Sequence, residues 1–329
     1  MKRWVLAAAM MASLSATAAD EVVVYSARIE DLIKPVFEAY TKETGVPVRF
    51  ITDKEGPLLS RINSEGASTD ADILLTVDAG NLWQAANDGM LQAIDSKALA
   101  ANVPAHLRDP ANQWFGLSVR ARTVFFNPGK VKAAELSSYE DLADAKWRGK
   151  LCLRSSKKVY NQSLVAMLIA QYGEPKTEQI VKGWVANLAT EPFPDDTKLL
   201  EAIDAGQCAV GIANTYYYGR LAEKKPGLNV QLFWPNQTSD GVHVNIAGAG
   251  VTKHAKHKAA AIKLLEWLSS PAAQNLFADR NLEYPVNPAV KADATVQRWG
   301  EFKPNLVNIA KAGELQAAAV KLMDRAGYR

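Results

Sequence analysis

Strand and helix signals alternate along most of the chain, and that alternation predicts an α/β protein, a sheet covered by helices. Length divides it in two, because the roughly 310 residues beyond the first 19 are about two domains' worth of core. Two long β-rich passages, over 116–126 and 230–246, interrupt the alternation and read as crossings between lobes. Two lobes joined by such crossings predict a hinge, with a cleft between the halves.

The elements follow in order. Residues 21–25 are β-branched and read as the first strand, 31–44 as a helix ended by Gly45, and 46–51 as the second strand. A helix over 58–64 and a strand over 71–77 come next. Asp78 is placed to cap a helix from Ala79 towards Gly89, whose glycine fits the stop. The first crossing breaks at Asn127-Pro128-Gly129, and 149–154 opens the strands of the second lobe. Residues 196–205 read as a helix with acidic residues at its start and Gly206 after its end, and 208–213 return as a strand. The second crossing consists of extended stretches at 230–234 and 242–246 around the polar turn 235–241. Past Gly248-Ala249-Gly250-Val251, a helix is expected over about 257–268, and Ser270-Pro271 begins another towards Arg280. The expected division is a first lobe of 20–118 with 237–290 and a second of 119–236 with 291–329.

The first 19 residues read as a secretory signal peptide. Lys2-Arg3 is a short positive segment, 4–14 is apolar, and Ala16-Thr17-Ala18 fits a small-residue cleavage signal. No later stretch of about 18 uninterrupted apolar residues is present, so the exported mature chain is expected to be soluble, without membrane insertion. Net charge is +3, and loss of Lys2 and Arg3 leaves it near neutral, which excludes nucleic-acid binding by charge. Cys152 and Cys208 lie in similar short apolar runs, and an exported chain meets an oxidising compartment. A disulfide between neighbouring strands is therefore expected, with two buried thiols as the alternative.

The stretch Asn214-Thr215-Tyr216-Tyr217-Tyr218-Gly219-Arg220 is the candidate site. An apolar strand runs into it and a helix-favouring run leaves it, with Thr215 or Asn214 as the expected cap. Residues at such a junction sit on the ligand-facing edge of an α/β sheet, where free N–H groups and the helix dipole favour anions. Phenolate oxygens are such anions. Consecutive helical positions point about 100° apart, so at most two of the three tyrosines can converge.

Several stretches resemble the periplasmic ferric-ion-binding proteins of bacterial ABC importers. They are Val24-Tyr25-Ser26-Ala27-Arg28, Asp72-Ile73-Leu74-Leu75-Thr76-Val77-Asp78-Ala79-Gly80, Lys158-Val159-Tyr160-Asn161-Gln162-Ser163, the tyrosine triplet, Asn245-Ile246-Ala247-Gly248-Ala249-Gly250-Val251 and Leu265-Glu266-Trp267-Leu268-Ser269-Ser270-Pro271. The resemblance covers the mature chain and implies a two-lobed periplasmic binding protein fold of class II type, with a helical tail returning to the second lobe. It implies that Tyr216 and Tyr217 bind Fe(III) with Tyr160 as a third ligand, that carbonate or another small anion completes the site, and that the monomer delivers iron to a membrane ABC permease. The chemistry is consistent: Fe(III) is a hard cation that prefers anionic oxygen, and it makes a phenol with pKa near 10 a ligand by displacing its proton.

The chain departs from some relatives in the first lobe, where a His-Tyr pair is replaced by Ile29-Glu30. Glu30 can ligate, although an acidic residue in a first helical turn explains it as well. Arg28 and Arg120 are the candidates to hold the anion, since a guanidinium fork matches a planar oxyanion, with Arg122 as competitor and salt bridges as the alternative. His254 and His257 lie in a cationic run that reads as a solvated helix start, His243 and Tyr25 read as packing, and Asp195-Asp196 as a helix cap. No nucleophile elbow, His-Glu-x-x-His site or phosphate loop supports an enzyme. The competing function is a receptor of the same fold for Fe(II) or for an organic or oxyanion solute.

Overall fold

The computed structural model describes residues 21–329; the expected signal peptide, residues 1–19, lies outside the described residues. The chain runs β1 (Val22–Ser26), α1 (Glu30–Thr44), β2 (Val48–Thr52), α2 (Glu55–Glu65), β3 (Ile73–Thr76), α3 (Ala79–Asn87), α4 (Lys97–Asn102), β4 (Phe115–Phe126) and β5 (Leu151–Cys152). It continues α5 (Val159–Ala186), α6 (Asp196–Asp204), β6 (Val210–Asn214), α7 (Thr215–Lys224), β7 (Gln231–Phe233), β8 (Val244–Val251), α8 (Lys258–Ser269) and α9 (Pro271–Asp279), then β9 (Tyr284–Pro285), α10 (Ala294–Gln297), α11 (Lys311–Glu314) and α12 (Gln316–Arg325). Each segment expected as strand or helix holds one, with its ends moved by a few residues. Asp78 caps α3 as its position demands, accepting hydrogen bonds from the Gly80 and Asn81 amides.

The strands join in the order β2-β1-β3-β8-β4-β6-β5, with β7 and β9 also paired to β4. β1, β2 and β3 are parallel and β8 lies antiparallel to β3, while β5 and β6 are parallel at the other end. The two crossing strands are central. β4 pairs with β8 through its first half and with β6 and β7 through its second, so one strand belongs to both halves of the sheet. Its twelve residues are all buried, as expected of a strand covered on both faces.

Two cores flank that seam. Val24, Ile33, Leu74, Leu117 and Leu264 lie in the first, and Val124, Phe126, Val165, Trp184 and Ile212 in the second, so β4 feeds both. The tail divides between them, although it was expected wholly in the second lobe: Ile309, Ala310 and Ala312 pack on the first core, and Ala319, Leu322 and Met323 on the second. The second crossing also differs from expectation, because β8 runs unbroken through Gly248-Ala249-Gly250-Val251. A Cβ at Gly248 would come 2.6 Å from the Phe115 carbonyl oxygen, so glycine there admits the neighbouring strand rather than ending this one. A disulfide joins Cys152 in β5 to Cys208 just before β6, with Cα atoms 5.9 Å apart. Among the described residues no helix is long and apolar enough to cross a membrane.

Candidate metal centre

Two helices start side by side. β5 and β6 are parallel neighbours, so the chain leaves both at the same edge of the sheet; one exit leads through a loop into α5 and the other directly into α7. Tyr160 is the second residue of α5 and Tyr216 the second of α7, which puts both phenols at positive helix ends. The Tyr216 hydroxyl donates to the Tyr160 hydroxyl at 3.2 Å, and the Asn214 side-chain amide donates to Tyr216 at 3.4 Å. The Tyr217 ring lies against that of Tyr216, centroids 4.4 Å apart at 31°. Tyr160 and Tyr216 are only 7% and 4% exposed, whereas Tyr217 is half-buried. Tyr218 turns away to pack on Phe125 and Trp299, as the helical period requires.

Four cations surround the phenols. The Arg154 guanidinium carbon lies 5.4 Å from the Tyr160 ring centre and 5.9 Å from that of Tyr217, and Arg120 lies 5.6 Å from Tyr160. Lys158 Nζ is 4.9 Å over Tyr160, and Arg220 is 5.2 Å over Tyr216. Burial nevertheless dominates. It pushes Tyr160 up to about 12, with Arg120 opposing, and raises Tyr216 well above the ordinary tyrosine value, helped by the neighbouring phenols. These hydroxyls hold their protons at neutral pH until a cation displaces them.

Residues 68–303 match the profile of the bacterial extracellular solute-binding protein family. The chain belongs to that family. It is 44% identical to iron uptake protein A1 of Synechocystis sp., over 94% of this chain and 88% of that protein. A Trichodesmium protein solved in complex with iron and citrate ligands is 44% identical, with a TM-score of 0.91 over 94% of this chain and 100% of the other. The Bordetella ferric binding protein is 40% identical, with a TM-score of 0.88 over 94% and 99%. These neighbours share the two-lobed fold.

In this solute-binding protein the arginines are arranged differently from expectation. Arg28 is directed to Glu283, Ser118 and the Phe277 carbonyl, and Arg120 to Glu283 and the Ile246 carbonyl. Both guanidiniums therefore serve a buried carboxylate rather than an open anion site. Arg122 is likewise engaged, with Asp196 at 2.9 Å and Asn214 at 3.1 Å. Arg154, which the sequence did not single out, is the freer group: it is 7% exposed, its Nε and Nη1 have no hydrogen-bond partner, and Asp196 lies 3.6 Å from Nη1. Glu30 sits in the first turn of α1, exposed and 3.7 Å from Lys34, in line with the helix-start reading.

Three smaller expectations change. Asn214 holds the cap position of α7 but makes no capping bond, because its side chain faces Arg122 and Tyr216 instead. Asp195 is the cap of α6, whereas Asp196 is fully buried between Arg122 and Arg154. His257 is tied to buried Asp72 by its Nδ1 at 3.0 Å. Among the described residues no group of three or more His, Cys, Asp or Glu side chains could hold a metal. Glu283 had no local signal: it lies in an irregular turn before β9, and only the fold brings it to Arg28 and Arg120.

Proposed function

We propose that the protein captures ferric iron in the periplasm with the phenolates of Tyr160, Tyr216 and Tyr217 and delivers it to a membrane ABC permease. The observation that carries this reading is the meeting of the Tyr160 and Tyr216 hydroxyls at 3.2 Å, with Tyr217 stacked beside them. Two buried hydroxyls that close cannot both ionise without a cation between them, and three phenolates balance the charge of one ferric ion. The names of the relatives, an iron uptake protein and ferric binding proteins, support the same cargo.

A small anion such as carbonate completes the site in this reading, and Arg154 holds it. Its unpartnered Nε and Nη1 and its place beside Tyr160 and Tyr217 favour it over Arg28 and Arg120, which are engaged by Glu283. Lobe movement about β4 and β8 opens the site for release.

The test is visible absorption of the purified mature protein with Fe(III) and bicarbonate, repeated for Tyr160→Phe, Tyr216→Phe and Tyr217→Phe. A phenolate-to-iron charge-transfer band that is lost or strongly reduced in each variant is the expected result. No band, and no iron retained after desalting, would overturn the ferric assignment in favour of Fe(II) or an organic solute.

A further inference from the structure

Four buried polar side chains form a hydrogen-bond chain that the tyrosine cluster itself does not require. Asn245, in crossing strand β8, donates from Nδ2 to Asp78 Oδ2 at 2.7 Å and to Ser163 Oγ at 3.0 Å. Its Oδ1 accepts from the Ala79 and Ile246 amides. Ser163 Oγ in turn lies 3.1 Å from His243 Nε2. All four side chains are 5% exposed or less.

Ser163 Oγ accepts a hydrogen bond from Asn245 and shares a second bond with His243 Nε2, whose direction is set by the tautomer of the ring. The ring is neutral, because burial, reinforced by Arg122 and Arg120, pushes His243 down to about 3. The backbone of His243 is fixed, because its amide donates to the Tyr139 hydroxyl and its carbonyl accepts from the Arg122 amide. Asn245 is held by Asp78 and the start of α3, a helix that packs in the first core, whereas Ser163 lies on α5, which packs in the second. The Asn245 to Ser163 bond therefore joins the two cores.

Ser163 lies three residues after Tyr160, on the same face of the first turns of α5. This helix start has no side-chain cap; the Asn161 amide ties it to its incoming loop through the Arg154 and Ser155 carbonyls, and Gln162 ties it to Ser156 and to Gln316 of α12. We propose that Ser163 is a positioning residue for Tyr160: its hydroxyl, pinned between Asn245 and His243, fixes the turn of α5 that presents the phenol to Tyr216 and couples that turn to the meeting of the lobes. The metal half of this statement rests on the ferric reading above.

Two measurements test it in wild type, Ser163→Ala and Ser163→Thr. In metal-free protein, amide hydrogen exchange over residues 158–166 should quicken in Ser163→Ala while residues 22–26 stay unchanged. In protein loaded with Fe(III) and bicarbonate, release to an excess of chelator should be about tenfold faster in Ser163→Ala, the cost of one buried hydrogen bond left unmade, with a displaced charge-transfer band. Ser163→Thr keeps the hydroxyl and should restore both. If Ser163→Ala does not fold, His243→Phe removes the partner of the Ser163 hydroxyl instead and should act in the same direction. Unchanged exchange and release in Ser163→Ala overturn the proposal, as does a Thr variant that behaves like Ala. Failure of wild type to take up iron, with the exchange result intact, overturns the ferric reading and leaves the pinning of α5 standing.

Discussion

Tyr160 and Tyr216 meet hydroxyl to hydroxyl at 3.2 Å, although they come from the first turns of two helices and are 56 residues apart in sequence. Each ring is buried, and each phenol is harder to ionise than a free one. The pair is thus poised to exchange protons for a cation rather than to exist as free phenolates.

Iron uptake is therefore expected to release protons. Because burial raises both groups, they are protonated throughout the neutral range, and each phenolate formed on binding costs one proton. Affinity should rise with pH, by about tenfold per pH unit for each proton displaced, and weaken towards acid. Adding a ferric chelate to lightly buffered protein with an indicator dye measures the release. Tyr160→Phe should release about one proton fewer than wild type, and equal release would remove Tyr160 from the ligand set.

Arg154 and Arg28 should separate in their dependence on the anion. Arg154→Met takes away the guanidinium beside Tyr160 and Tyr217, so iron retention should lose its dependence on bicarbonate. Asp196 keeps Arg122 at 2.9 Å and the Asn214 amide at 3.0 Å, so the stability loss should be only about 1–3 kcal/mol. Arg28→Met should keep the bicarbonate dependence. The opposite ranking in an iron-retention assay would return the anion to Arg28.

How much of this was legible follows from the range of each signal. The tyrosine triplet and its flanking strand and helix are local, and the period of an α-helix alone sends Tyr218 away from Tyr216. The long β-rich passages that interrupt the strand and helix alternation likewise fall on β4 and on β7 with β8. What the sequence hid is non-local. Glu283 gathers Arg28 and Arg120 from 255 and 163 residues away, and nothing in Asn281-Leu282-Glu283 marks it. Asp196 looked like a cap because Asp195 beside it is one, and only the parallel neighbours β5 and β6 bring Arg154 to it. The extended stretch was expected only over 242–246, and the close packing that favours Gly248 and Gly250 and lets β8 run on is tertiary.

Glu283 is expected to matter for stability more than for iron. Its carboxylate is buried with Arg28, Arg120, Ser118 and Asn281 around it; burial works against the charge, yet the two arginines hold its pKa below the ordinary range. Glu283→Gln leaves two buried guanidiniums without a counter-charge, a loss of about 3–5 kcal/mol. The pH dependence has a definite sign. A depressed carboxyl contributes stability above its unfolded value of about 4.3 and loses it as pH falls through the lower folded value. Urea midpoints should differ most at neutral pH and converge in acid. Equal midpoints at pH 7 would show that the two arginines find other partners.

Gly219 sets how closely α7 approaches the segment that follows α9. A Cβ there would come 2.5 Å from Leu282 Cδ1 and 2.9 Å from Trp299 Cζ2, while Tyr216 packs in the same small cluster as Leu282 and Val296. Two effects oppose each other in Gly219→Ala. Alanine favours the helix by about 1 kcal/mol, whereas overpacking a filled site costs about 1–3 kcal/mol. Trp299 offers little room to yield, because its ring also lies edge-on to Tyr284 and tilted against Tyr218. The clash should win, with a lower melting temperature and, because Tyr216 and Tyr217 ride on α7, faster iron release. A higher melting temperature with unchanged release would mean that Leu282 swings aside and that the contact does not hold the tyrosines in place.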